Sequence, residues 1–192
     1  MQERLNGGPR TAQPVFEASL RSGGPAHQII LGLDPSLRGT GFGVIRLAKP
    51  FPQTLAHGTI LCSPTLERSR CLARIAQTLR DVLRQHRPTV CVVEGLFYAQ
   101  NFQTAMIMGE ARGAALSVIA EAGLEIYEVA PRKAKQAIVG YGAARKPAVA
   151  GMVQRMLHLV EPPAPDAADA LALALTHARE RGRFSLQPAK RI

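Results

Sequence analysis

The chain has 192 residues, of which 46% are hydrophobic, so it is long enough for one domain with a buried core. A net charge of +10 and an isoelectric point of about 10.4 favour a polyanionic partner such as DNA or RNA. The sequence has no run of about 18 apolar residues and no apolar stretch of a signal peptide at its start, so we expect no membrane span. Three cysteines without a CxxC motif predict neither a disulfide framework nor a zinc site, and indicate a cytoplasmic protein.

The first half of the chain predicts an extension, a three-stranded meander and a helix. Residues 1–26 are rich in Gly, Pro, Ser, Gln and Arg, and predict a mobile N-terminal extension. Gly39, Gly41 and Gly43 are interpreted as a turn between the first two strands. Strands are predicted at 28–33, 43–47 and 54–61, and a helix is predicted at 66–86.

The second half alternates strands with helices. The apolar run at 89–93 is typical of a strand that is covered on both faces. A further strand is predicted at 124–129, helices at 101–122, 147–159 and 165–181, and a short helix from Pro131. This order predicts an α/β fold: a mixed five-stranded sheet with helices on both faces, in one domain at 27–181, followed by a basic tail at 182–192.

The helix predicted at 101–122 carries a stripe of small and apolar residues along one face. The stripe consists of Phe102, Ala105, Met106, Gly109, Gly113, Leu116, Ile119 and Ala120. Its small middle would let another backbone approach closely, either within the protein core or from a second chain.

Four carboxylates stand out. Asp34 follows IILGL and Glu94 follows VCVV, so each lies where a predicted buried strand ends. Asp166 and Asp169 are three residues apart in PDAADALALAL, which puts both on one face of a helix's first turn. Taken singly, Asp34 suits an Asx turn, Glu94 suits an arginine pair and Asp166 suits a helix cap. Taken together, they predict one site.

Such a cluster predicts a divalent cation. Close carboxylates repel one another unless a cation lies among them, and Mg²⁺ prefers oxygen ligands. Two such ions can promote phosphodiester cleavage by activating a water and stabilising the leaving oxygen. In a chain this basic, the cluster indicates a magnesium-dependent nuclease.

A basic segment and nearby aromatics provide candidate DNA contacts. No acid occurs between Val129 and Val160. The cations there are Arg132, Lys133, Lys135, Arg145, Lys146 and Arg155. Contacts of this type bind phosphates with little sequence preference and strong dependence on salt. Phe97 and Tyr98 follow Glu94 closely, and either ring could stack on an unpaired base or pack in the core.

Over residues 28–178 the sequence resembles the RuvC family of Holliday junction resolvases. The resemblance rests on ILGLDPSLRGTGFGVI, VVEGLFYAQNFQTAMIMGEARGAAL, APRKAKQAIVGYGAARK and PDAADALALALTHA, in that order. It implies an RNase H-like fold and a homodimer that cuts four-way DNA junctions by paired symmetric nicks in recombination and repair. It also implies that the RuvA–RuvB branch-migration complex is a partner.

The resemblance also assigns residues. It implies that Asp34, Glu94, Asp166 and Asp169 hold two Mg²⁺ ions, for which Mn²⁺ would substitute. Phe97 matches an aromatic that contacts bases near the crossover, and Lys135 and Lys146 match DNA-contacting lysines. The stripe on the helix at 101–122 matches the dimer interface. Ser36 and Leu37 depart from the family's usual pattern in the loop after Asp34, and Pro147 directly follows Lys146.

Two other functions are consistent with parts of the sequence. A non-catalytic DNA-binding protein would need the basic segment but not the carboxylates. An actin-like kinase or ATPase also has a strand aspartate followed by glycines, but such proteins usually need two domains of this kind, and this chain is short for them.

Overall fold

The computed structural model describes residues 28–95, 101–180 and 189–192. Within these ranges no helix has the length and apolar character needed to cross a bilayer. The strands are β1 (Ile29–Asp34), β2 (Gly39–Arg46), β3 (Gln53–Leu61), β4 (Val90–Glu94), β5 (Glu125–Val129) and β6 (Lys190–Arg191). The helices are α1 (Arg68–His86), α2 (Phe102–Glu121), α3 (Pro131–Val139), α4 (Lys146–Leu157) and α5 (Pro165–Glu180).

The strands form one mixed sheet in the order β3-β2-β1-β4-β5-β6. The pairs β1–β2 and β2–β3 are antiparallel, which confirms the predicted meander, while β4 lies parallel to both β1 and β5. All five predicted strands are present. The count of five was short by one, because Lys190 and Arg191, inside the predicted tail, pair with Glu128 and Tyr127 as β6. The predicted extension at 1–26 lies outside the described residues.

The three glycines that were interpreted as a turn lie inside β2 instead. Strand β2 begins at Gly39 and contains Gly41 and Gly43 on the same face. A Cβ atom on Gly41 would lie 2.0 Å from the backbone oxygen of Asp166, and one on Gly43 would lie 2.6 Å from the Leu171 side chain. The alternate glycines therefore make room for α5 to lie directly on the strand.

Strand β1 also has a glycine where α5 lies against it. A Cβ atom on Gly32 would lie 1.9 Å from the backbone oxygen of Ala170. Helix α5 packs across β1, β2 and β4, and residues 170–177 are all buried. The start of α5 is thereby fixed against the middle of the sheet.

Helices cover both faces of the sheet, as predicted. In β4, Cys91 and Val93 pack with α1 and α2, whereas Val90 and Val92 pack with α3, α4 and α5. All four side chains are fully buried. The alternation of strand side chains thus divides the interior into two apolar clusters, one on each side of the sheet.

Candidate active site

Two carboxylates meet where β1 and β4 end side by side. Leu33 pairs with Val93 in the parallel ladder, so Asp34 and Glu94 are neighbours one residue further on. Both continue the series of side chains that faces α5, because strand side chains alternate. The Glu94 carboxyl donates a hydrogen bond to the Asp34 carboxylate.

The first turn of α5 brings two more carboxylates to the same end of the sheet. The helix begins at Pro165, and its contact with Gly41 fixes the Asp166 backbone over β2. The charges of Asp166 and Asp169 both reach Asp34, and that of Asp169 also reaches Glu94. The four acids singled out in the sequence are therefore gathered at one place.

These acids form two pairs, and Lys146 binds one of them. Its Nζ lies 3.2 Å from Asp166 Oδ1 and 3.5 Å from Asp169 Oδ2. Asp34 and Glu94 form the second pair. As the side chains lie, no three His, Cys, Asp or Glu residues in the described ranges are arranged to hold one metal ion. The four acids are thus gathered without forming a closed coordination shell.

The pKa values of Asp34, Glu94 and Asp169 are raised. Burial, the Asp34 charge and the shared hydrogen bond raise the pKa of Glu94 to about 8. Burial also raises the pKa of Asp34, although the hydrogen bond from Glu94 opposes this. For Asp169 burial raises the pKa and Lys146 opposes the change. A partly buried, mutually repelling set of carboxylates is the donor set that a hard divalent cation stabilises, so these residues fit such an ion.

The sequence model of one protein family, described as "Crossover junction endodeoxyribonuclease RuvC", matches residues 30–177. The chain belongs to the RuvC family. The RuvC protein of Bordetella parapertussis is 44% identical over 149 residues, which cover 78% of this chain and 82% of the relative. That of Protochlamydia amoebophila is 46% identical over 152 residues, which cover 79% and 90%.

Solved structures agree with this assignment. Thermus thermophilus RuvC in complex with Holliday junction substrate superposes with a TM-score of 0.76 at 35% identity, covering 86% of this chain and all of that one. The yeast mitochondrial Holliday junction resolvase Ydc2 has a TM-score of 0.55 at 12% identity, covering 77% of this chain and 76% of that one, and shares the fold. The predicted family and the RNase H-like resolvase fold are confirmed.

The predicted DNA contacts of this RuvC-family chain differ in their surroundings. Lys135, on α3, is close enough for its charge to act on Glu94 and Asp169. Arg132, on α3, and Arg145, directly before α4, are both exposed. The Lys133 ammonium already pairs with Glu180 at 2.6 Å. Phe97 and Tyr98 lie outside the described residues.

The loop after Asp34 is closed by hydrogen bonds between Ser36 and Thr40. The hydroxyl of Thr40 donates to the Ser36 carbonyl at 2.6 Å and accepts from the Ser36 amide at 3.2 Å. Thr40 is fully buried, and Leu37 is also buried. This closed loop leads directly from Asp34 into β2.

Sequence reasoning did not single out one buried charged residue at the site. Arg112, on α2, donates a hydrogen bond to the backbone oxygen of Glu94. Its burial could have been predicted from its position, because Arg112 falls on the helix face that also carries Ala115 and Ile119, three and seven residues later. A cation on an otherwise apolar buried face needs a specific partner.

Proposed function

We propose that the protein is a structure-selective endonuclease that resolves four-way DNA junctions by paired phosphodiester hydrolysis, in homologous recombination and DNA repair. The observation that carries this is the gathering of Asp34, Glu94, Asp166 and Asp169 at one end of the sheet, beside Lys135 and Lys146. The family description as a crossover junction endodeoxyribonuclease, and the relative solved with a Holliday junction, support it.

The four acids would hold divalent cations, two Mg²⁺ ions per site, with Mn²⁺ as a substitute. When bound, such ions activate a water and stabilise the leaving oxygen of the phosphodiester. Asp34 is the central residue, because Glu94 neighbours it on one side and the α5 acids act on it from the other. Glu94 and Asp169 would each complete one ion's set of ligands, and Asp166 would orient the attacking water.

The cations beside the acids supply DNA binding. Lys146 lies within ion-pair distance of two of the acids, and Lys135 acts on them at longer range. Both would face the cleaved phosphate and offset its developing charge. Arg132 and Arg145, which are exposed, would bind phosphates further along the duplex arms, and Phe97 would contact a base near the crossover. Lys133, which pairs with Glu180 at 2.6 Å, would bind a phosphate of the arms by exchanging that ion pair for one with DNA.

A homodimer would bring two sites to one junction. In the stripe on α2, Phe102 is 80% exposed and Met106 is 49% exposed. A Cβ atom on Gly109 or Gly113 would meet nothing within 4 Å. Ile119 of the stripe is buried in the core and Leu116 packs against it, but the described residues leave the rest of the stripe exposed, so a second copy of the chain is the partner it suits. By family resemblance, the RuvA–RuvB complex would act with the dimer, in the cytoplasm.

A synthetic four-way junction with a different label on each arm tests the proposal. With Mg²⁺, a denaturing gel should show symmetric cuts on two opposing strands, while omission of Mg²⁺ should leave the strands intact. A linear duplex of the same sequence should resist. Binding without nicking would favour a non-catalytic DNA-binding protein, and ATP turnover without DNA would favour an actin-like phosphotransferase.

A further inference from the structure

The guanidinium of Arg112 joins three elements beneath the site. Arg112 is 8% exposed and belongs to α2. Its Nη1 donates to the backbone oxygen of Glu94, the last residue of β4. Its Nη2 pairs with Glu128 Oε2, on β5, at 2.5 Å. One planar side chain thus ties α2 to the end of β4 and to β5.

Among the described residues, few other donors lie near the Glu94 carbonyl at the end of β4. Pro35, which follows Asp34 in the neighbouring chain segment, has no amide hydrogen. The amide of Ser36 donates to the Thr40 hydroxyl instead. On the other side, the Gly95 amide donates to the Val129 carbonyl at 2.9 Å, which continues the ladder to β5. The peptide that follows Glu94 is thus held at its amide by Val129 and at its carbonyl by Arg112.

The geometry points to Arg112 as a positioning residue that sets the direction of the Glu94 carboxyl toward Asp34. Glu94 is the last residue of its strand, and on the carbonyl side of its peptide the bond from Arg112 adds to the ladder bond that Gly95 makes to Val129. A charge-assisted bond from a planar guanidinium, itself fixed by Glu128, restricts rotation of that peptide. This inference rests on the proposed function, because it assigns a role to Arg112 only if Glu94 holds a metal ion.

A purely structural role for Arg112 makes a different prediction. A buried ion pair can often be replaced by apolar side chains of similar volume with little loss of stability, whereas removing one partner is costly. The double variant R112M/E128M therefore separates the two roles. It removes the charge pair as a unit, and it also removes the donor to the Glu94 carbonyl.

The test compares R112M/E128M and R112K with R68M. Arg68, on α1, pairs with Glu110, on α2, at 3.1 Å, and this ion pair is more exposed than that of Arg112. The variant R68M therefore removes an ion pair to α2 without touching Glu94. R112K keeps a charge for Glu128, but an ammonium does not reproduce the two-pronged contact. The measurements are melting temperature, junction Kd without metal, Mn²⁺ binding followed by electron paramagnetic resonance, and single-turnover cleavage at saturating protein.

The expected result is a loss of metal binding and cleavage at near-normal stability. Both Arg112 variants should bind the junction like wild type, yet lose about 10-fold or more in Mn²⁺ affinity and cleavage rate, the effect typical of residues that orient metal ligands. R68M should match wild type. Cleavage and Mn²⁺ binding within twofold of wild type in either Arg112 variant would overturn the inference, as would melting far below wild type in both. Wild-type protein that never cuts the junction would instead refute the proposed function.

Discussion

The Glu94 carboxyl donates a hydrogen bond to the Asp34 carboxylate across the adjacent ends of two parallel strands. One proton is thus shared where two full negative charges would repel each other. A divalent cation bound by these groups would have to replace that proton, because metal ligands must be deprotonated. Metal binding, pH and stability are therefore linked through this pair.

The link predicts how stability varies with pH in the metal-free protein. The pKa of Glu94 is raised from 4.5 to about 8, so between these values the folded chain binds a proton that the unfolded chain has lost. Stability that is present below pH 4.5 is consequently lost as the pH rises toward 8, by at most about 1.4 kcal/mol per pH unit. The variant E94Q lacks this titration, so its melting temperature should equal that of wild type near pH 5 and exceed it near pH 8.5.

Thermal melts of both proteins across this range, in the presence of a chelator, provide the measurement. Adding Mg²⁺ near pH 8.5 should then stabilise wild type more than E94Q, because only wild type offers the Glu94 carboxylate. Melting curves that stay parallel at every pH would show that Glu94 is ionised throughout, contrary to the prediction.

Asp34 is central to the four acids, so its replacement should separate binding from cutting. The change D34N keeps the shape of the side chain and removes its charge. We expect junction binding without metal to stay the same or tighten slightly, since one negative charge near the DNA is lost. Cleavage with Mg²⁺ should fall by about 10³ or more, the scale of losing one essential electrostatic group.

The matched control for this change is D81N. Asp81 is an exposed aspartate on α1 that pairs with Arg84 and with none of the four acids' cations. It should bind and cut like wild type. If D34N cut at a rate near that of wild type, the assignment of Asp34 as a metal ligand would be wrong.

The sequence was enough to predict that the four acids meet, because the end of an apolar strand can be recognised in a sequence. The apolar runs before Asp34 and Glu94 predict strands, and parallel strands that end together bring their last residues side by side. The spacing of Asp166 and Asp169 predicts one helix face. The packing of α5 on β1 and β2 was not predicted, and its physical reason is the absence of side chains at Gly32 and Gly41.

Contacts between side chains that are distant along the chain could not be predicted from the sequence. The pairing of Lys133 with Glu180 joins residues 47 positions apart, and nothing local distinguishes Lys133 from Lys135. Strand β6 was missed because two residues give no periodic pattern. The glycines of β2 were misread as a turn, since glycine also occurs where a helix backbone approaches a strand.

The close approach of α5 predicts opposite effects for two glycine substitutions. In G41A the new Cβ atom would lie 2.0 Å from the Asp166 backbone oxygen, so α5 has to shift. We expect a loss of about 1–3 kcal/mol in the free energy of unfolding, together with slower cleavage, because Asp166 and Asp169 move with the helix. In G151A, on α4, the Cβ atom meets nothing within 4 Å, and stability should rise by up to about 1 kcal/mol.

Chemical denaturation of both variants gives the free energies, and single-turnover cleavage gives the rates. G151A serves as the control for adding a methyl group to the chain as such. A G41A protein that is as stable and as active as wild type would mean that α5 does not lie on β2 in solution.

If the exposed part of the stripe on α2 forms the proposed dimer interface, a charge placed there should break the dimer without unfolding the chain. Ala105 lies on the stripe near the start of the helix, where a negative charge is favourable, so A105E should keep the fold. In a face-to-face dimer the two new carboxylates would be buried and unpaired, which costs several kcal/mol. Sedimentation velocity should therefore show a monomer, and the paired cuts on the junction should become isolated nicks.

The control A73E puts the same change on the exposed face of α1 and should stay dimeric with paired cuts. A dimeric A105E protein that cuts like wild type would place the interface elsewhere.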